Sequence, residues 1–120
     1  MALVKFINSY SSKIYIAFMR HDPACGEDCG DPWDVLGWIN LDREQTGFAD
    51  NPTGNKWFYY YAEADDGAFW AGEFIAEVKN PAFEKCTCLG VSVSHGTNPW
   101  YNVGMRELDL SQFGGVNFTP

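Results

Sequence analysis

The stretch WFYYYAE, residues 57–63, decides the fold class. Five consecutive aromatic residues strongly favour an extended strand. Alternate side chains of a strand point to opposite faces, so the odd-numbered rings share one face while Phe58 and Tyr60 share the other. Only one face of a strand is core in a two-layer sandwich. We therefore expect some of these rings to be exposed.

The sequence that follows this stretch predicts a hairpin. Asp65-Asp66-Gly67 is a turn signal of the Asp-Gly kind. A returning strand is expected over residues 68–78, with Gly72 as a bulge, and Asn80-Pro81 ends it.

Short apolar runs separated by Gly, Pro, Asn and Asp recur in both directions from this hairpin, whereas helical periodicity is scarce. Further strands are predicted at residues 3–7, 13–19, 35–41, 88–94, 103–110 and 116–118, and a short one near Phe48. The pattern predicts an all-β chain in which residues 1–120 form a single-domain antiparallel β-sandwich, jelly-roll or Ig-like. About seven to nine strands are expected.

Composition and charge narrow the function classes. The 120 residues carry 8 Lys plus Arg against 16 Asp plus Glu, so the formal net charge is −8. That balance argues against binding nucleic acid or an anionic membrane through general electrostatics. No apolar run approaches the roughly 18 residues of a membrane-spanning helix, and no signal peptide is seen at the N-terminus.

Spaced aromatic and glycine positions carry a family resemblance. These are Asn8-Ser9, Ile16-Ala17, Trp33, Gly37-Trp38, the run at residues 59–63, and Trp70-Ala71-Gly72. In this order they resemble a bacterial family catalogued as domain of unknown function 1036, over about the first two thirds of the chain. The resemblance implies a fold and brings no assigned activity.

Four cysteines occur as Cys25-x3-Cys29 and Cys86-x-Cys88. Neither spacing is that of a zinc knuckle, so disulfides are favoured over free thiols, and zinc is the least favoured alternative. Two disulfides could tie the acidic loop at residues 21–33 to the strand region near Cys86. A local Cys25–Cys29 bridge would leave the other two thiols to pair elsewhere, including with another subunit. Disulfides and the acidic composition favour an extracellular or cell-surface location.

The acidic loop also offers hard oxygen ligands. Asp22, Glu27, Asp28 and Asp31 could hold Ca²⁺, with Asp34 close by. The spacing lacks the EF-hand pattern, so a solvated acidic loop without a cofactor is the favoured interpretation.

Recognition through exposed aromatic rings is the leading functional hypothesis. Flat rings stack on sugars or anchor protein partners when polar groups lie beside them. The candidate ligand-binding residues are Trp33, Asp31, Asp34, Trp70, Asn98, Trp100 and Asn102. The expected ligand is a carbohydrate or a protein partner.

Two alternatives stay open. The nearly uncharged terminal segments at residues 3–7 and 116–118 could pair with a neighbouring copy, which would make the chain a self-assembling subunit and a homo-oligomer. A sugar hydrolase would need two of Glu63, Glu73 and Glu77 within roughly 5 to 9 Å of each other. His21 and His95 lie in no catalytic motif, so no catalytic residue is assigned.

Overall fold

A computed structural model of the chain describes residues 2–25, 32–88 and 100–120. Ten strands occur in this part of the chain, together with one short 3-10 helix at Pro23–Cys25. The strands are β1 (Ala2–Asn8), β2 (Ile14–His21), β3 (Pro32–Leu41), β4 (Thr46–Asn51), β5 (Trp57–Ala64), β6 (Phe69–Trp70), β7 (Phe74–Val78), β8 (Phe83–Cys88), β9 (Tyr101–Asp109) and β10 (Gly115–Phe118). The all-β prediction is confirmed. The strand predicted at residues 88–94 lies mostly outside the described residues.

Two sheets form the fold. The small sheet has the order β10-β1-β4, and the large sheet has the order β7-β9-β5-β2-β3-β8, with β6 pairing on β5. All pairings are antiparallel except that of β1 with β10, which is parallel. The N-terminal segment, for which pairing with a neighbouring copy was one open alternative, is the centre of the small sheet and has partners on both sides.

The first core lies between the small sheet and one face of β2, β3 and β5. It consists of apolar side chains that alternate along each strand, in agreement with the period-2 pattern of the sequence. Its fully buried members are Val4, Phe6, Ile14, Ile16, Ala62, Phe58 and Phe118. The phenyl rings of Phe18 and Phe58 stack at 5.6 Å, so neighbouring strands are joined by ring contacts as well as by backbone hydrogen bonds.

A second core covers the opposite face of the same central strands. Its buried members are Ala17, Met19, Trp33, Val35, Tyr59, Ala76, Val78, Phe83, Val103 and Met105. The large sheet curls over this face, and Lys85 on β8 reaches Glu77 on β7 at 3.1 Å although these strands are opposite ends of the strand order. The expectation that only one face of β5 is core is therefore wrong. Among the rings of β5, Trp57 is exposed and the other four are buried or half-buried.

The predicted strand at residues 68–78 forms as two short strands, β6 and β7. The backbone crosses β9 closely between them: Gly72 N–H donates to the Gly104 carbonyl at 3.0 Å. A Cβ on Gly72 would lie 2.5 Å from the Met105 carbonyl oxygen. Gly72 is thus a close-approach residue between strands, and not a bulge inside one.

Candidate functional site

The outward face of the small sheet is defined by the alternation along β1. Val4 and Phe6 point into the first core, so Leu3, Lys5 and Ile7 point outward. The strand register places Phe48 of β4 and Gly115 of β10 on either side of Lys5. We call the surface formed by these three β1 side chains, Phe48 and the outward side of β10 the outer face.

Large apolar side chains on and beside the outer face are exposed to solvent. Leu3 is 60% exposed and Phe48 is 55% exposed, and Phe113, just before β10, is 57% exposed. Large apolar groups grouped in this way on a folded surface are typical of interaction sites.

A shallow hollow of about 260 Å³ lies in the outer face between β1 and β10. Its lining consists of Lys5 and Ile7 on one side and residues 114–117 on the other. The hollow depends on Gly115, because a Cβ there would come within 1.9 Å of the Lys5 carbonyl oxygen. The glycine lets the two backbones approach and leaves no side chain to fill the space.

Trp33 and Asp34 were predicted to bind ligand from a loop, and this prediction is wrong. β3 begins at Pro32, so both residues lie inside a strand that pairs on both sides. Trp33 is 2% exposed, and its ring meets those of His21 at 5.4 Å and Tyr59 at 5.2 Å. Asp34 is 1% exposed. Neither side chain is available to a ligand at the surface.

Trp70 and Trp100 are half-buried. The Trp70 ring packs against those of Phe118 and Tyr10, each at 5.2 Å, and so covers the edge of the first core. The Trp100 ring packs on Phe83, and the ammonium groups of two lysines lie about 5 Å from its centroid, Lys79 at 5.0 Å and Lys85 at 4.8 Å. These cations occupy ring surface that a stacked sugar would need.

Of the other predicted ligand-binding residues, Asn102 lies in the described part of the chain. It is exposed on β9, opposite Glu77 of β7. Asp31 and Asn98 lie outside the described residues. Among the described members of the predicted set, Trp33 and Asp34 are buried while Asn102 is exposed, so these residues do not share one surface. The outer face was missed because Leu3, Lys5, Ile7 and Phe48 look like ordinary alternating strand residues in the sequence.

A disulfide joins Cys25 to Cys86. The prediction that a disulfide ties the acidic loop to the strand region near Cys86 is confirmed in this bond. The alternative local Cys25–Cys29 bridge is wrong, because Cys25 is bonded to the distant strand β8. Cys29 lies outside the described residues, as does the side chain of Cys88. An oxidising compartment is compatible with this bond.

The disulfide lies beside a buried polar corner around Asp34. Arg20 Nη2 is 3.4 Å from Asp34 Oδ2, and Arg20 Nη1 is 4.0 Å from Asp50 Oδ2. Burial, reinforced by the neighbouring Glu84 carboxylate, raises the pKa of Asp34 to about 7, although the Arg20 cation opposes the shift.

The predicted calcium ligands are placed only in part. Asp22 Oδ1 accepts a hydrogen bond from the Ala24 N–H at 3.0 Å, which is the geometry of an Asx turn at the short helix. Glu27, Asp28 and Asp31 lie outside the described residues. Calcium binding by this loop stays a prediction.

The three glutamates considered for hydrolysis have separate surroundings. Glu63 accepts a hydrogen bond from the Tyr61 hydroxyl at 3.0 Å, and Glu77 is paired with Lys85 at 3.1 Å. Glu73 is exposed between β6 and β7. His21 contacts the buried Trp33 ring, and His95 lies outside the described residues. Glu63 and Glu77 are thus each engaged by a neighbouring side chain of the chain itself.

Comparisons with known proteins do not supply a family. No family model matches the chain, and neither a curated protein nor a solved structure matches it. The resemblance to the domain of unknown function 1036 stays a prediction. Within residues 2–25, 32–88 and 100–120, no helix has the length and apolar character needed to cross a bilayer.

Proposed function

We propose that this chain is a non-enzymatic recognition module that binds an extended segment of a protein partner on the outer face. The observation that carries the proposal is the hollow of about 260 Å³ between β1 and β10, on the same outer face as the exposed Leu3. One apolar side chain of a partner would fill such a space. Removing its surface from water would contribute roughly 25 cal/mol of binding free energy per Å² buried.

The edge of the small sheet supports this mode of binding. β10 is the last strand in the sheet order, and none of the described strands pairs with its outer edge. Its sequence, Gly115–Phe118, carries no charged residue to discourage pairing. An extended segment added beside β10 would gain backbone hydrogen bonds, while an alternate side chain enters the hollow.

A protein segment suits the outer face better than a carbohydrate. Sugar recognition combines flat rings with several directed polar groups, whereas two of the six residues that line the hollow are glycines and two are aliphatic. The ring of Trp100, the alternative platform, is already covered by two lysines. Glycan binding is therefore the disfavoured outcome of the test below.

Charge favours a different protein over a second copy of this chain. Two copies at net charge −8 repel each other, whereas a partner with basic residues around an apolar strand is attracted. Self-assembly through β10 is the alternative outcome, and light scattering on a purified sample detects it directly. A monomer at 13.5 kDa supports a heterologous partner.

The test uses a displayed library of random extended peptides, selected on the immobilised full chain. We expect selected peptides to alternate apolar and polar residues with basic flanks. Gly114 lines the hollow, and a Cβ at this position would have no atom within 4 Å, so we expect Gly114→Leu to obstruct the hollow while the backbone keeps its place. This variant and Ile7→Ser, which removes an apolar side chain from the lining of the hollow, should each weaken the peptides roughly tenfold, the loss of about 1.4 kcal/mol typical of an interface anchor.

The matched control is Ile75→Ser, which makes the same substitution on β7 of the large sheet, where the isoleucine is 52% exposed. The control should bind the peptides like the unmodified chain. Peptides that bind all variants equally would place recognition elsewhere. A glycan array signal lost in Ile7→Ser would overturn the choice of a protein ligand, and dimers lost in that variant would establish self-assembly.

A further inference from the structure

The corner beside the disulfide brings together three side chains that ligate metals. A sulfur of Cys25, a sulfur of Cys86 and a carboxylate oxygen of Asp34 all lie within 4.8 Å of one another. The fold places them there: Cys25 ends the short helix after β2, and Cys86 of β8 is directly opposite Asp34 of β3 in the strand register.

Asp34 is a buried carboxylate with unused bonding capacity. Arg20 approaches its Oδ2 at 3.4 Å, whereas its Oδ1 has no hydrogen-bond partner in the described part of the chain. Buried polar atoms in native proteins are nearly always satisfied by protein, water or an ion. The 1%-exposed carboxyl of Asp34 therefore offers an oxygen donor beside the two sulfurs.

The charged groups around the corner favour a cation as well. Glu84 lies close enough to raise the pKa of Asp34, and Asp22 adds to the negative field. Asp22 Oδ2 is also 3.9 Å from Cys25 Sγ. Arg20 is the positive group that faces these carboxylates among the described residues. The single positive charge of Arg20 does not neutralise all of these carboxylates. A divalent ion bound here would reduce the remaining repulsion between them.

We propose that reduction of the Cys25–Cys86 disulfide converts this corner into a zinc site with Cys25, Cys86 and Asp34 as ligands. A dithiol or phosphine reductant supplies two electrons, the S–S bond breaks, and two protons give two thiols. Zn²⁺ then displaces both thiol protons to solvent and binds the thiolates and the carboxylate. Asp22 or a water molecule completes four ligands.

The geometry requires only a local rearrangement. Zinc–sulfur bonds of about 2.3 Å at a tetrahedral angle place two sulfurs about 3.8 Å apart. The two sulfurs of the reduced pair would reach this separation by rotation of their side chains. Thiolates exclude calcium and magnesium, which take oxygen ligands, and select zinc.

The experiment measures zinc binding by competition with a chromophoric chelator, using the full chain reduced by a phosphine without oxygen. We expect one zinc per reduced chain and none in the oxidised chain. Asp34→Asn and Cys25→Ser should each weaken binding at least about tenfold, since even the loss of groups that only support metal ligands costs this much. The matched control, Cys29→Ser with Cys88→Ser, removes the other two thiols and should bind like the unmodified chain.

A second measurement separates loss of the site from loss of the fold. Cobalt substituted for zinc gives a thiolate charge-transfer band whose intensity should halve in Cys25→Ser, and near-ultraviolet circular dichroism should confirm that each variant is folded. Equal zinc affinity in oxidised and reduced chains would overturn the proposal. So would loss of zinc in the Cys29/Cys88 variant, or unchanged affinity in a folded Asp34→Asn variant.

Discussion

Removal of the Cys25–Cys86 disulfide gives the sharpest test of how the chain is held together. The bond joins two residues 61 positions apart and ties the short helix after β2 to β8 at the edge of the large sheet. The perturbation is the double substitution Cys25→Ala with Cys86→Ala. It removes the covalent link, so the backbone pairing of β8 with β3 must then hold β8 in the sheet.

The expected loss follows from the length of the loop. Closing a loop of 61 residues removes about 14 cal/mol/K of entropy from the unfolded chain, which is about 4 kcal/mol at 25 °C. Domains of this size unfold at about 5–15 kcal/mol, so the loss is a large share of the stability. With an unfolding entropy of about 2.1 cal/mol/K per residue, the melting temperature of the 120-residue chain should fall by about 16 °C.

Urea unfolding of both proteins, followed by their intrinsic tryptophan fluorescence, measures the difference in the free energy of unfolding. The matched background is Cys29→Ser with Cys88→Ser, which keeps the Cys25–Cys86 bond and removes the other two cysteines. The alanine pair introduced into this background isolates the contribution of the Cys25–Cys86 bond, and the background protein in reductant, with zinc chelated, should match it. A loss below about 1 kcal/mol would refute the loop-entropy reasoning, because the contact of β8 with β3 would then suffice without the bond.

Three further changes test the polar corner and the cores. The pKa of Asp34, raised to about 7, exceeds the roughly 3.9 of an unfolded chain, so the folded state keeps this proton longer. The free energy of unfolding should therefore fall as pH rises from about 4 to 7, and this group contributes at most about 1.4 kcal/mol per pH unit. Urea titrations at several pH values should show a shallower pH dependence in Asp34→Asn. The same pH dependence in both proteins would contradict the raised pKa of Asp34. Gly37→Ala places a Cβ 2.3 Å from the Phe83 ring and should lower the free energy of unfolding by about 1–3 kcal/mol. Phe83→Leu should restore part of this loss in a double-mutant cycle, whereas strictly additive losses would argue against the clash. The buried Asn8 side chain donates hydrogen bonds to the carbonyls of Ser12 and Leu41 at 2.9 and 3.0 Å and accepts one from the Tyr10 N–H at 2.9 Å. Asn8→Ala should therefore lower the free energy of unfolding by about 3 kcal/mol, and with it the melting temperature. An unchanged melting curve would show that water replaces these bonds.

The fold class could be read from the sequence because strand alternation is a local property. The run at residues 57–63 predicts two faces, and Phe58 and Tyr60 do face the first core while Tyr59 faces the second. That both faces are covered could not be predicted. It depends on the large sheet curling until Lys85 meets Glu77, a contact between edges that no local pattern encodes.

The candidate site was harder to predict for related reasons. The start of β3 was placed at Val35, three residues after its position at Pro32 in the structure, and this put Trp33 and Asp34 in a loop. A small error at a strand end thus moved two buried residues to the surface. The pairing of Cys25 with Cys86 was likewise undetermined, since four cysteines allow three pairings and this bond joins residues 61 positions apart in the chain.

The abundance of aromatic residues was taken as a sign of ligand binding, and the two cores change that inference. Covering both faces of the central strands in a chain of 120 residues needs large side chains, and rings provide them at little conformational cost. The apolar residues that indicate a binding surface are therefore those that belong to neither core. Leu3 and Phe48 are such residues, and they lie on the same outer face as the hollow, in the sheet whose edge strand is uncharged. Recognition is therefore to be tested first at the outer face, where the apolar surface has no structural role inside the chain.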